Sequence, residues 1–311
     1  MTPLSRRSML QKTGAIAAAP MISLSSCQEQ KPKHQFTFCL NTSTIRGQNL
    51  KITDEIKTAA EAGYDGVEIW MNKLNAHIQE GGTTKDIKNL ATDLGIKIEN
   101  CISFPQWIVD DEQKRSEAYD QARKEMDLLA EIGCPRVAAP PAGATNPPSL
   151  NLLEAAKRYQ KLLEIGRETG VLPQLELWGF SHNLHLFGEV MYVASEAAHP
   201  DACILPDIYH IYKGGSDFEG LRMLDSSAIH MFHMNDYPAS PSREDIKDSH
   251  RVFPGDGVAP IGKALGYLID KNKPIVLSLE LFNEDYYKMK ALDAAKEGLD
   301  KMKMVVEKAI G

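Results

Sequence analysis

From Phe36 onward the chain alternates short apolar runs with longer stretches in which apolar residues recur every three or four positions. Runs of the first kind read as buried strands and stretches of the second as amphipathic helices. Strands are expected at 36–43, 66–70, 96–104 and 136–141, and helices at 53–62, 84–94, 112–132 and 151–169. Three helix-to-strand joints follow one rule: Gly63, Gly95 and Gly133 each stand where a helix must stop, a few residues before the next strand. The second half adds four apolar runs, with helices expected near 186–198, 218–224 and 261–270 and a last one over 288–310. Repeated βα units with short joints imply parallel strands joined by right-handed crossovers. Eight of them in a chain of 311 residues predict an α/β fold, a (β/α)8 TIM barrel over 36–311. A doubly wound sheet is the competing architecture, but no G-x-G-x-x-G follows the first strand.

Each of the four late runs carries one ligand type for a divalent metal. They are Q-L-E-L-W around Glu176, C-I-L-P-D around Asp207, M-F-H-M-N-D around His233 and L-S-L-E-L-F around Glu280. Three carboxylates and one imidazole suit one divalent ion of the series Mn²⁺, Co²⁺, Mg²⁺ or Zn²⁺. All four lie at strand ends, where such a barrel keeps its chemistry. A lone glutamate in an apolar strand could instead pair with a buried cation. Leucines on both sides of Glu176 and Glu280 leave those carboxylates little exposed alternative. His233 alone would read as a core histidine, and Asp207 alone as a turn cap.

Composition narrows the partners. The net charge of −7 lacks the basic footprint of a nucleic-acid binder. Residues 5–12 (S-R-R-S-M-L-Q-K) resemble a twin-arginine export signal, and the apolar run that follows is too short to span a bilayer. Leu24-Ser25-Ser26-Cys27 resembles a lipoprotein cleavage box, so residues 1–27 read as signal, 28–35 as a polar tether, and Cys27 as the site of a lipid anchor. The expected location is therefore periplasmic or membrane-anchored. Cys39, Cys101, Cys134 and Cys203 form no C-x-x-C pair and read as buried thiols. No helix shows an apolar outer stripe that would name an oligomeric state.

Three sub-motifs sharpen the late runs: Asp207-Ile208-Tyr209-His210, His233-Met234-Asn235-Asp236, and Arg251 followed by Pro254-Gly255-Asp256-Gly257. In this order they resemble the D-x-x-H, H-x-x-D and R-x-x-P-G-[ED]-G elements of the xylose-isomerase-like family of sugar isomerases and epimerases. The resemblance implies that Glu176, Asp207, His233 and Glu280 hold the metal, and that Glu176 and Glu280 also move protons next to a substrate carbonyl. It further implies that His210 meets a substrate hydroxyl or carbonyl, that Arg251 supports a substrate oxygen or its loop, and that Asp236 stands behind, orienting His233 or Arg251. Removing a proton next to a carbonyl requires stabilising an enediolate, which a bound cation and a poised carboxylate together achieve.

Other candidates are less determined. Glu68 on the second strand is either a barrel-floor ion pair or a substrate contact. His77, His182 and His185 fall in loops near the entrance, and His199 reads as structural. Trp70, Trp107 and Trp178 lie at or beyond strand ends, where aromatic faces suit sugar rings; of the loop and aromatic group, Trp178 and His182 are the substrate-binding candidates. The leading expectation is an isomerase or epimerase of a non-phosphorylated keto sugar. Gly214-Gly215-Ser216 is the one short segment that could cradle a phosphate. The closest alternative is a lyase that removes the same proton from a 3-keto-glycoside and expels the C1 substituent. A metal-dependent phosphodiesterase and a non-catalytic sugar-binding lipoprotein are more distant readings.

Overall fold

The computed structural model describes residues 36–271 and 273–310, so the signal, the tether and the Cys27 anchor expected before Phe36 lie outside the described residues. Chain order is β1 (Phe36–Asn41), α1 (Ile52–Ala62), β2 (Gly66–Trp70), α2 (Met71–Gln79), α3 (Thr84–Asp93), β3 (Lys97–Ile102), α4 (Glu112–Ile132), β4 (Arg136–Ala139) and α5 (Leu152–Thr169). It continues with β5 (Leu172–Glu176), α6 (Phe187–Glu196), β6 (Ile204–Leu205), α7 (Ile208–Gly214), β7 (Met231–Met234), α8 (Ile261–Ile269), β8 (Ile275–Leu279) and α9 (Ala291–Ile310).

The helix boundaries have local causes. Asp111 and Asn151 cap α4 and α5 by accepting backbone N–H groups of the first turn, and Thr83 with Asp86 forms a reciprocal capping box on α3. Gly63, Gly95 and Gly133 all adopt positive φ, at 94°, 67° and 79°, which a side chain would resist. Two helices exceed the expectation: α2 starts where β2 ends, and α7 starts directly after Asp207. Conversely, the helix expected at 218–224 is a 3-10 turn, and the last helix begins at Ala291 rather than 288.

Among the described residues all ladders between named strands are parallel. One sheet runs β3-β2-β1-β8-β7 and the other β4-β5-β6. Isolated parallel bridges, Ile204 with Ile229 and Asp207 with His233, join β6 to the β7 side. Strand β6 is short because Pro206 has no N–H to extend its ladder, although its carbonyl still accepts the His233 N–H at 3.0 Å. At the β3–β4 seam Arg136 Nε donates to the Glu99 carbonyl at 3.0 Å and its guanidinium pairs with the Glu99 carboxylate. The ring is thereby closed as a (β/α)8 barrel.

Period-two alternation assigns the two faces. Leu175, Leu177, Leu279 and Leu281 point into the main core between strands and helices and are at most 1 % exposed; burying each is worth about 1.5–3 kcal/mol. A smaller apolar cluster that includes Cys39, Leu205, Met231 and Val276 lies inside the barrel. Two residues further along the same strands stand Asn41, Asp207, His233 and Ser278, all buried. The interior is thus apolar below and polar above, toward the C-terminal strand ends. The four cysteines of the barrel are free and buried, as expected. No helix among the described residues is long and apolar enough to cross a membrane.

Candidate active site

Four consecutive strand ends bring the polar layer together. Glu176 ends β5, Asp207 follows Pro206, His233 lies in β7 and Glu280 follows β8. All four side chains are buried, Glu280 the most open at 4 %. The His233 Nδ1 stands 3.3 Å from Glu280 Oε2 and 3.8 Å from both Glu176 Oε1 and Asp207 Oδ2. On its other side His233 Nε2 is 3.0 Å from Glu68 Oε1. Glu68 also accepts from Asn41 Nδ2 (2.9 Å), Asn100 Nδ2 (2.7 Å) and Ser278 Oγ (2.5 Å). Four donors hold this carboxylate, so His233 presents its Nε2–H to Glu68 and its Nδ1 to the other carboxylates.

Glu68 is therefore no substrate contact. It is fully buried beneath His233 and orients the ring from below, as a carboxylate behind a ligating histidine does. Asp236 is also corrected. Its carboxylate contacts neither His233 nor Arg251 among the described interactions. It accepts four backbone N–H groups, from Tyr237 (2.8 Å), Gly255 (3.0 Å), Gly257 (3.0 Å) and Ala259 (2.9 Å). A Cβ on Gly257 would lie 2.3 Å from Asp236 Oδ1, so that loop position requires glycine. Asp236 and Val252 also exchange two backbone hydrogen bonds of 2.9 Å. Asp236 thus folds the loop next to which Arg251 is anchored.

Arg251 is completely buried and reaches the centre of the site. Its Nη1 donates to Asp207 Oδ2 (3.1 Å) and Glu280 Oε2 (2.9 Å), and its Nη2 pairs with Asp248 and lies 3.0 Å from His210 Nε2. Tyr209 and Phe282 flank the guanidinium at 4.4 and 5.1 Å. His210 receives the Gly179 N–H on Nδ1 at 3.2 Å, and burial lowers its pKa to about 3, so its ring is neutral. Asp207 takes the His210 N–H and the Asn235 amide as well as Arg251.

The two glutamates sit in opposite environments. Burial raises the Glu176 carboxyl well above the usual range, and the positive influence of His233 does not cancel it. Glu280 is buried too, but His233 and Arg251 outweigh burial and hold it well below that range. For His233 burial pulls the pKa down, while Glu68 and Glu280 raise it well above the ordinary imidazole value. One carboxylate is clamped as an anion and the other stays free to take or give a proton, which is the pattern of an acid–base site.

A divalent cation fits this donor set. His233 Nδ1 and Glu176 Oε2 are buried without a hydrogen-bond partner. Ligand atoms of Glu176, His233 and Glu280 all lie within 4.8 Å of one another. Ligands about 2.0–2.2 Å from a common ion stand roughly 3–3.5 Å apart, so small side-chain movements close the site. Asp207, expected as the fourth donor, stands 3.8 Å from the His233 nitrogen, and its oxygens accept from Arg251, Asn235 and the His210 backbone N–H.

Above the carboxylates opens a cavity of about 480 Å³ lined by Glu176, Trp178, His210, Arg251 and Glu280. Its walls are Trp70, Phe104, Phe180 and Phe282 with Arg46, whose guanidinium lies 3.9 Å from the Trp70 ring centre. Trp178 packs between Phe104 and Phe180 at 5.9 and 5.1 Å. His182 does not join this lining: it is exposed and bonded to Ser149 Oγ at 2.8 Å. His185 faces Glu189, His77 lies on α2 outside the lining, and His199 receives the Asp201 N–H, a structural role. Trp107 is a core residue whose indole N–H caps the Pro140 carbonyl. Sequence reasoning missed Asn41, Asn100, Asn235, Ser278, Arg46 and the three phenylalanines. Their one signal was position just inside or beyond a strand end.

A sequence model described as xylose isomerase-like TIM barrel matches residues 56–305. An inosose isomerase of Halalkalibacterium halodurans is 26 % identical over 277 residues, 87 % of this chain and 96 % of that protein. A 3-dehydroshikimate dehydratase of Pseudomonas putida is 26 % identical over 80 % of this chain, which spans 39 % of the relative's length. Among solved structures, the IOLI protein with a zinc atom bound superposes with a TM-score of 0.80 at 23 % identity, covering 88 % of this chain and 99 % of the other. With the family matched over most of the barrel and the expected ligand strands converging in space, the chain belongs to the xylose isomerase-like TIM-barrel family.

Proposed function

We propose that this protein is a divalent-metal-dependent isomerase or epimerase that abstracts a proton next to the carbonyl of a non-phosphorylated keto sugar. One observation carries the reading: a free, buried Glu176 faces a clamped Glu280 across an unpartnered imidazole nitrogen, at the floor of an aromatic-walled cavity. Glu176, Asp207, His233 and Glu280 would hold one ion, Mn²⁺, Co²⁺, Mg²⁺ or Zn²⁺. Such an ion supplies Lewis-acid stabilisation of the developing enediolate charge. Glu176 serves as the proton acceptor, because its free oxygen has no competing donor. Arg251 holds the Glu280 carboxylate ionised and in place, and His210, neutral and held between the Gly179 N–H and Arg251, lines the cavity beside them. Trp178, Phe180 and Phe282 pack on the apolar ring faces and exclude water.

The one segment expected to cradle a phosphate, Gly214-Gly215-Ser216, has its donors spent within the fold. The Gly215 and Ser216 N–H groups are used by the α7 carbonyls of Tyr212 and Ile211, and Ser216 Oγ accepts from Phe187 N–H. A second reading, elimination from a 3-keto-glycoside, shares the proton abstraction and differs only in the fate of the enolate. The similarity to a dehydratase, which expels a leaving group, favours keeping it. The N-terminal motifs fit a barrel exported by the twin-arginine route and tethered through a lipid on Cys27, acting on carbohydrate outside the cytoplasm.

The test is proton NMR in D₂O of the metal-loaded barrel with keto sugars and 3-keto-glycosides. Deuterium entering the carbon beside the carbonyl, with the skeleton kept, supports the isomerase or epimerase. Release of the C1 substituent with a new vinyl signal establishes the lyase. Exchange at neither carbon with any of these sugars refutes both.

A further inference from the structure

Beside the catalytic cavity lies a second one of about 590 Å³, at the C-terminal ends of β1, β2 and β3. The two share Arg46, Trp70, Ile102 and Phe104 as common lining. Each alone is in the size range of small-molecule sites, about 300–1,000 Å³. Among the described residues, the second carries no ligand set for a metal. Its charges balance, Arg46 and Lys73 against Glu55 and Glu125, and amides such as Asn72 and Asn75 on α2 supply much of its remaining polarity.

One group in it is incompletely paired, with Lys73 and the Thr42 hydroxyl as its polar neighbours. Glu55 is 1 % exposed and lines this cavity. Its Oε1 is 3.3 Å from Lys73 Nζ, while its Oε2 is buried with no hydrogen-bond partner. A buried carboxylate oxygen without a donor is destabilising, and burial correspondingly raises the Glu55 pKa. A ligand hydroxyl would supply the missing donor. Glu125, by contrast, is already engaged by Ser103 and Gln121.

We propose that this cavity is a subsite for a second, neutral polyhydroxylated unit, so that the substrate is a two-part glycoside rather than a free monosaccharide. The inference rests on the reading of the carboxylate cluster as a sugar site. Balanced lining charge disfavours an ionic group, amides and Glu55 bind hydroxyls, and Trp70 with Phe104 offers ring faces at the junction of the two cavities. One sugar unit sits over Glu176 and Glu280 while its neighbour passes the Trp70–Phe104 wall toward Glu55.

Calorimetric titration of the full chain loaded with Mn²⁺, using glucose and cellobiose as probes, tests this. Cellobiose should bind at least about tenfold more tightly than glucose, a difference of roughly one decade in Kd. Asn75→Trp, which fills the cavity from the half-buried face of α2, should erase that preference and leave glucose affinity unchanged. Asn72→Trp, at an exposed position of the same helix, repeats the blockade should the first variant melt early. Glu55→Gln should weaken cellobiose selectively. Equal affinities, no binding of either sugar, or a preference that survives both tryptophan variants overturns the subsite. Failed deuterium exchange with the preference intact would instead refute the proposed chemistry and leave the subsite standing.

Discussion

The rim of this barrel has two arcs of opposite character. Strands β5 to β8 end in ionisable groups packed against one another: Glu176, Asp207, His233 and Glu280, with Arg251 from the following loop. Strands β1 to β3 end in Asn41, Trp70 and Ile102, neutral side chains beside a cavity whose buried carboxylate, Glu55, pairs with Lys73. The charged arc holds its groups through mutual pairing, so each member sets the protonation of the next. The neutral arc offers shape and hydrogen bonds, and its one charged cavity wall is cancelled within itself. Chemistry needs the first kind of surface and selectivity the second.

The largest expected effect breaks the charged arc at its free carboxylate. Glu176→Gln keeps shape but removes the proton acceptor, and turnover should fall about 10²–10⁴-fold. Deuterium incorporation by NMR, with metal content measured alongside, checks it. Full activity in this variant would move the base elsewhere. No comparable substitution on the neutral arc should approach this loss.

Next comes the central cation of the same arc. Arg251→Met leaves Asp207 and Glu280 buried without their shared partner, and breaking a buried pair from one side costs about 3–5 kcal/mol. Urea unfolding of the metal-free protein reads this directly. Added metal, by neutralising the same carboxylates, should recover part of the loss. A variant as stable as the parent would mean the pair contributes nothing net.

Glu68 joins the arcs from below, because it sits on β2 yet orients His233 on β7. Glu68→Gln should lower metal affinity about 10–100-fold, with KM unchanged at saturating metal. A raised KM at saturating metal would reinstate it as a substrate contact. The same cluster sets the pH response. The His233 and Glu176 pKa values are both raised, so each group holds its proton to a higher pH than usual, and metal binding must displace it. Affinity therefore strengthens as pH rises and weakens as it falls. Calorimetry in buffers of different ionisation enthalpy should show net proton release; none would contradict the sign.

How much of this was legible in the sequence differs between the same two arcs. The charged arc was readable because each of its four residues lies in or at the end of an apolar run, and a charge between leucines has few explanations. The barrel was readable from repeated glycine-stopped helices. Asn41, Asn100 and Ser278 were not, because small polar residues at strand ends occur everywhere and only closure of the barrel shows that three strands aim them at Glu68. Asp236 was misassigned because its four partners are backbone N–H groups, which a side-chain pattern cannot show. Helix α2 was missed although Met71, Leu74 and Ile78 have helical spacing; its abrupt start at the end of β2 hid it. Helix α7 was read only as a motif around His210, for the same reason.

The smallest effect concerns the residue where the arcs meet. Trp70 Nε1 donates to Asn41 Oδ1 at 2.9 Å, and the same Asn41 amide donates to Glu68 (2.9 Å) and Glu280 (3.1 Å). Trp70 also forms part of the wall common to both cavities. Trp70→Phe keeps an aromatic face but removes that donor, and Asn41 Oδ1 retains the Ser43 N–H. The loss should be about 0.5–1.5 kcal/mol of stability, the net worth of one such bond, read by urea unfolding. If Asn41 merely fills space, stability stays unchanged and turnover with it. If it fixes the relative positions of Glu68 and Glu280, turnover falls several-fold without any change in the carboxylates themselves. That outcome would show that the neutral arc sets the geometry on which the charged arc depends.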